Sequence, residues 1–389
     1  MKERVLIVHN GYQHKGGEDT VVEAEEQLLR QRGHHVALFS RHNDDIHKVS
    51  KLALVANTFW ASGVAADFAA ELERFQPDVI HVHNTFPMIS PVIYWVAAKH
   101  HIPVVQTLHN FRLLCPQAMF LREGKVCEAC MGGVPWRGVV HGCYRDSKVQ
   151  SAVLAGMVSF HRLLGTWQDK VTRYIALNEF CRQKFIQGGL PAERVVIKAN
   201  FVDFPRPAVT ERSDFLFVGR LSAEKGVDVL ARAARQTQVQ IQVAGSGPEQ
   251  ARLEQVANIQ LLGALSTDAV RLKMSESLAL VLPSVWYENF PRTLVEAFGC
   301  GLPVIASRLG AMAELVEEGV TGLLFNPGDA DDLAAKLQWA QAHPEQMRVM
   351  GEAARARYEA FYTAEINYQQ LMAIYRDAIA DVQGVKVNG

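Results

Sequence analysis

The sequence predicts an α/β protein made of two doubly wound, parallel-sheet domains. Three observations carry this. Short β-branched runs alternate with helical patterns along all 389 residues. Alternation of that kind gives parallel sheets covered by helices on both faces. The strand candidates number twelve and divide into two sets of six. At about 150 residues per domain, the length fits two or three domains. A composition of 49% hydrophobic and 21% charged residues supports large cores and excludes disorder, collagen and a disulfide miniprotein.

The first domain, 1–200, holds strand candidates at 5–9, 35–39, 79–83, 103–108, 173–177 and 194–198, with helical patterns at 18–32 and 90–100. The opening run Val5-Leu6-Ile7-Val8 is too short for a signal-peptide core and reads as the first strand. His81 and His83 alternate along one face of a strand. They read as structural, since no third metal ligand can be assigned. The apolar stretch Ala152–Phe160 is cut by His161 and Arg162, and no run of 18 apolar residues exists to span a membrane. Six cysteines without a signal segment point to a reducing cytoplasm.

A seam at 199–213 follows, where Asp203, Pro205, Pro207 and Ser213 break the periodicity. The second domain, 201–363, has strand candidates at 215–218, 239–244, 259–262, 278–282, 303–306 and 321–325. Helical patterns at 226–236, 291–299 and 329–342 separate them, the last capped by Asp329. A tail, 364–389, carries Tyr368, Leu371, Met372 and Tyr375 at helical spacing and is expected to pack back on the first domain.

Open α/β sheets bind ligands at the carboxyl ends of their strands. Gly219-Arg220-Leu221-Ser222-Ala223-Glu224-Lys225-Gly226 follows one strand and opens a helix. Two cations there can hold a diphosphate, and an anion would relieve Lys225 at a helix N-terminus. Glu288-Asn289-Phe290-Pro291-Arg292 leads into a helix whose Glu296 lies in an apolar stretch. A carboxylate so placed needs partners, and a ribose diol supplies two hydroxyls. Lys15-Gly16-Gly17-Glu18 and His109-Asn110 occupy strand ends in the first domain. Glycines there let backbone N–H groups approach a phosphate. Gly245-Ser246-Gly247 lacks a third glycine at position 250, which is Gln, and reads as a turn.

Cys115, Cys127, Cys130 and Cys143 lie in or beside an insertion at about 111–147. Four thiolates at this spacing suit one structural zinc, with reduced thiols or two disulfides as alternatives.

The motif at 219–226, the two glutamates Glu288 and Glu296, and the stretch Gly301-Leu302-Pro303-Val304-Ile305-Ala306 with Gly310, Glu314 and Gly319-Val320-Thr321-Gly322 resemble the retaining glycosyltransferases of family 4. The resemblance implies the GT-B fold, two Rossmann-like domains facing a central cleft. It implies sugar transfer, with retention, from a nucleotide diphosphate sugar to a hydroxyl of a glycan or lipid-linked acceptor, of the bacterial surface-polysaccharide or lipopolysaccharide type. Arg220 and Lys225 would neutralise the leaving diphosphate without a bound metal. Glu296 would hold the ribose. Glu288, with Asn289, Phe290, Pro291 and Arg292, would hold the donor sugar. Gly16, Gly17 and Gly219 would approach the phosphates, and His109 would meet the sugar. Phe201 departs from the glycine common at that position. A nucleotide-sugar epimerase or hydrolase, or a non-catalytic glycan-binding scaffold, remains open as an alternative.

The net charge of −1 hides an asymmetry of +5 in residues 1–200 against −6 beyond. Residues 101–200 hold 13 basic and 6 acidic residues. No feature calls for nucleic acid. The excess suggests a peripheral contact with an anionic membrane surface at the inner face, or with a phosphate-bearing acceptor.

Overall fold

The structure is a computed structural model that describes residues 2–13, 16–204 and 212–384. Lys15, Pro205 and Pro207 therefore lie outside the described residues. In chain order the strands are β1 (Arg4–Gly11), β2 (His35–His42), β3 (Val79–Asn84), β4 (Val104–Thr107), the short β5 (Leu121–Arg122) and β6 (Lys125–Val126), β7 (Arg173–Ala176), β8 (Val195–Ile197), β9 (Ser213–Val218), β10 (Ile241–Ala244), β11 (Ile259–Gly263), β12 (Ser277–Leu282), β13 (Val304–Ser307) and β14 (Gly322–Phe325). All twelve expected strands are present, and only the antiparallel pair β5–β6 was not foreseen.

The chain divides into two compact units. The first comprises 1–118, 128–199 and 367–389, and the second comprises 119–127 and 200–366. The pair β5–β6 thus belongs to the second unit, although the sequence reading places it in the first domain.

The first unit has a six-stranded parallel sheet in the order β2-β1-β3-β4-β7-β8. Its strands read as near-continuous apolar runs because helices cover both faces. Val5, Ile7, Val79, Val105 and Ile175 build its core with the helix Gly17–Gln31, which contributes Val22 and Leu29. The last helix, Ala364–Gln383, adds Leu371, Tyr375 and Ala378 to that same core. The interrupted apolar stretch proves to be one face of the helix Lys148–Leu163, burying Leu154, Met157, Val158 and His161. No single helix among the described residues is long and apolar enough to cross a membrane. The bent pair Lys51–Trp60 and Ser62–Phe75 passes only in combination, and Phe68 and Leu72 are buried in the fold.

The second unit has the order β11-β10-β9-β12-β13-β14, again parallel. Its core joins Phe215, Phe217, Val243 and Val281 to Leu230, Leu333 and Leu337 from covering helices. Chain order reverses between β1 and β3 in the first unit and between β9 and β12 in the second. Crevices for ligands open at the carboxyl ends of strands flanking such a reversal.

Candidate active site

In the second unit, the segments after β9 and β12 carry the expected motif residues, one on each side of the reversal. Gly226 has φ +72° and separates the single turn Ala223–Lys225 from the helix Val227–Arg235. A Cβ at this position would lie 1.8 Å from the Pro283 carbonyl oxygen, so the two loops approach closely only through glycine. Gly245 does the same beside Gly219, whose carbonyl oxygen would sit 1.9 Å from an added Cβ. The Gly-Ser-Gly segment is therefore a close-packing turn, as expected.

That approach brings Lys225 to Glu288. Lys225 Nζ lies 2.6 Å from Glu288 Oε1. The same oxygen accepts from Ser284 Oγ at 2.8 Å and from Trp286 Nε1 at 3.1 Å. Glu288 is buried, and its three donors explain how a carboxylate is tolerated there. Lys225 keeps part of its side chain exposed and stands 5.5 Å from the Trp286 ring centre. Arg220, at the end of β9, is exposed and takes part in none of the ion pairs among the described residues. The site therefore offers one cation held in a fixed cradle and one open to solvent.

Pro291 caps the helix Arg292–Gly299, one residue earlier than a first-turn proline would stand. Glu296, one turn into it, pairs with Arg292 at 3.0 Å. Burial pushes its carboxyl above the usual range, and the nearby Arg292 and Arg271 guanidiniums oppose that shift. Asn289 is buried.

In the first unit, Gly16 caps the helix Gly17–Gln31, with its N–H donating to Asp19 Oδ2 at 2.7 Å. A Cβ added at Gly17 would meet nothing within 4 Å, so the backbone there is accessible. Glu18 receives the Tyr12 hydroxyl at 3.0 Å. Burial lifts its carboxyl to about 8.

His109 follows β4 and is hydrogen-bonded to His83, with Nε2 and Nδ1 2.9 Å apart and the rings stacked. Behind them lies a buried network. Glu25, from the helix Gly17–Gln31, pairs with Lys198 at 2.6 Å, and both side chains are fully buried. The second Glu25 oxygen lies 3.6 Å from His83 Nε2 and 3.7 Å from His81 Nδ1. His81 also bonds Tyr375 Oη at 2.7 Å and Thr107 Oγ1 at 2.8 Å. Burial pushes His83 and His109 well below the ordinary imidazole value and His81 down to about 4, so all three are neutral. A neutral His83 facing a carboxylate favours its proton on Nε2. Nδ1 then accepts from His109 Nε2–H, which fixes the His109 tautomer.

The sequence reading found His81 and His83 but not their partners. Glu25 interrupts the apolar face of its helix, and Lys198 ends an apolar strand; those interruptions were the available signal. A structural zinc at Cys115, Cys127, Cys130 and Cys143 remains a proposal. Among the described residues, the only group of three or more His, Cys, Asp or Glu ligand atoms all within 4.8 Å of one another is Glu25, His81 and His83. Cys115, Cys127, Cys130 and Cys143 form no group of that kind. No disulfide joins any of them.

Comparisons with known proteins show the family and the fold. The profile "Glycosyltransferase Family 4" matches residues 15–206, and "Glycosyl transferases group 1" matches 200–357. An uncharacterized glycosyltransferase of Methanocaldococcus jannaschii is 34% identical over 71% of this chain and 68% of its own. A D-rhamnosyltransferase of Pseudomonas aeruginosa is 30% identical over 57% of this chain, and the match spans 63% of its length. The sulfoquinovosyl transferase of Arabidopsis thaliana is matched over 55% of its length. Among solved structures, sucrose-phosphate synthase from Thermosynechococcus elongatus superposes with a TM-score of 0.72 at 19% identity, covering 98% of this chain and 100% of that one. Anabaena HepE in complex with UDP-glucose gives 0.68 at 18% identity, covering 96% and 100%. The chain belongs to family 4 of the glycosyltransferases and has the GT-B fold.

Proposed function

We propose that the chain transfers a sugar, with retention, from a nucleoside diphosphate sugar to a hydroxyl of a glycan or lipid-linked acceptor. The observation that carries this is the Lys225–Glu288 cradle beside exposed Arg220 at the carboxyl ends of β9 and β12. The bond from sugar C1 to the diphosphate oxygen breaks, and a bond from C1 to the acceptor oxygen forms on the same face. The acceptor proton passes to the departing diphosphate oxygen. Negative charge develops on that leaving group, which is where fixed cations help most. Glu288 is tied by Ser284 and Trp286, so it holds Lys225 Nζ in place before substrate arrives. Arg220 supplies a second, fork-shaped donor set for phosphate oxygens.

Glu296 and Arg292 are assigned to the ribose, and the backbone from Asn289 to Pro291 to the donor sugar. Gly16, Gly17 and Gly219 are assigned to a close backbone approach to phosphate, with Gly17 the one where an added Cβ would meet nothing. His109 is assigned to a sugar hydroxyl. Its fixed neutral tautomer suits a hydroxyl better than a phosphate. The named relative in complex with UDP-glucose supports a nucleotide-sugar donor. We further propose that the chain works at the inner face of an anionic membrane. Leu52, Val149 and Leu163 are 85%, 74% and 88% exposed, and Lys51 and Lys148 adjoin them.

Calorimetric titration with UDP and GDP tests the donor site. At least one should bind wild-type protein, and Arg220→Ala and Lys225→Ala should each weaken it by about 10-fold to 100-fold, the scale of one or two lost charge-assisted hydrogen bonds. Binding unchanged in both variants would remove these residues from the donor site.

A further inference from the structure

We propose that the first unit carries a pocket for the acceptor's lipid-phosphate portion, between the helices Lys51–Trp60 and Lys148–Leu163. This rests on the transfer reading above and names the acceptor class. The pocket encloses about 190 Å³. It is reached from the carboxyl ends of β1, β3 and β4 through Tyr12, Phe86 and Arg112. Of these, β1 and β3 flank the point where chain order reverses, where an open sheet binds its ligand.

The lining has two chemistries. Ile46, Leu54, Val153 and Leu154 make an apolar wall. Arg112 and Arg145 add two guanidiniums, and no Asp or Glu is among the lining residues. Arg112 is held rather than floppy: its guanidinium lies 4.6 Å from the Phe86 ring centre and 5.5 Å from that of Tyr144, and Nη1 donates to the Pro116 carbonyl at 3.2 Å. The Arg145 guanidinium lies 5.4 Å from the centre of the same Tyr144 ring. Stacking on aromatic faces fixes the direction of a guanidinium and leaves its edge free for an anion.

Two cations in a lining that holds no carboxylate, with Glu18 acting on Arg112 from behind Tyr12, ask for an anion, and an apolar wall asks for hydrocarbon. A free sugar phosphate would satisfy only the first and a neutral glycolipid only the second. An alkyl or prenyl chain ending in phosphate satisfies both. The exposed Leu52 and Val149 stand on the same two helices, so a lipid need not leave the bilayer entirely to enter.

The experiment is equilibrium binding of decyl phosphate below its micelle concentration, with inorganic phosphate and octyl glucoside as separate probes. Decyl phosphate should bind wild-type protein at least about 10-fold tighter than either, since each alone lacks one half of the contacts. Arg145→Gln, at an exposed position, should weaken decyl phosphate by about 10-fold, the worth of one charge-assisted contact. Val153→Trp, which fills the pocket, should abolish decyl phosphate binding while UDP or GDP titrates as in wild type. Equal affinity for inorganic phosphate would reduce the site to an anion site and overturn the proposal. Equal affinity for octyl glucoside, or unchanged binding in both variants, would overturn it too. Decyl phosphate binding in a chain that binds no nucleoside diphosphate would uphold the pocket and overturn the donor site instead.

Discussion

Six imidazoles in the first unit are held below their ordinary protonation range by burial: His9, His34, His81, His83, His109 and His161. Their consequence for stability has a definite sign. In the unfolded chain each takes up a proton near pH 6.5. In the folded chain burial moves that uptake to lower pH, for His81 down to about 4. The unfolded state therefore binds more protons below pH 6.5, and stability falls as pH falls through the interval from 6.5 to about 4. Urea unfolding at pH 7.5, 6 and 5 should show a steady loss on the acid side. Glu18, raised to about 8, and Glu296 act in the opposite sense, so stability that rises toward pH 5 would mean that the raised carboxyls outweigh the imidazoles. The Glu25–Lys198 pair beneath them is costly to desolvate, and removing one partner of such a pair typically costs about 3–5 kcal/mol. Its position behind His83 and His109 gives that cost a role, since it orders the tautomer of a residue at the strand end.

Two helices set the next scale. Lys51–Trp60 and Lys148–Leu163 each turn apolar side chains to solvent, with Leu52, Val149 and Leu163 the most exposed. Basic residues stand beside them, as on helices that lie in a membrane interface. The chain should sediment with phosphatidylserine-rich vesicles and not with pure phosphatidylcholine, the binding weakening as salt rises. The paired change Leu52→Glu and Val149→Glu should release it. Equal sedimentation with both vesicle types would return these side chains to ordinary surface.

Elements of this kind also show where the sequence was readable. The strands were plain because buried parallel strands are unbroken apolar runs, as in Val5–Val8 and Leu278–Leu282. The placement of Gly219, Lys225 and Glu288 after strands, and of Glu296 in a helix, was legible because strand-end motifs keep their spacing whatever surrounds them. Spacing along the chain says nothing about which unit the cysteine segment joins. Cys127 follows β5–β6 into the second unit, a tertiary choice made by packing such as Phe120 on Tyr287. Glu25, Lys198 and Arg112 were missed for the same reason. Glu25 and Lys198 meet across 173 residues, and Arg112 meets the Phe86 and Tyr144 rings from other segments.

At the scale of the whole chain, two sheets of similar plan carry different chemistry. The second places a cradled and an open cation where its strand order reverses, and the first places a cationic, half-apolar pocket at its own reversal. The net charge of −1 is the sum of those two surfaces. Sugar transfer with retention is the claim on which both depend. The direct measurement is transfer of labelled sugar from a panel of UDP- and GDP-sugars to alkyl-phosphate-linked glycosides, with the anomer of the product read by NMR. The account predicts one molecule of nucleoside diphosphate released per glycoside formed, the donor's anomeric configuration in the product, and little release without acceptor. A product of inverted configuration, or nucleotide release at the same rate with no acceptor present, would contradict it.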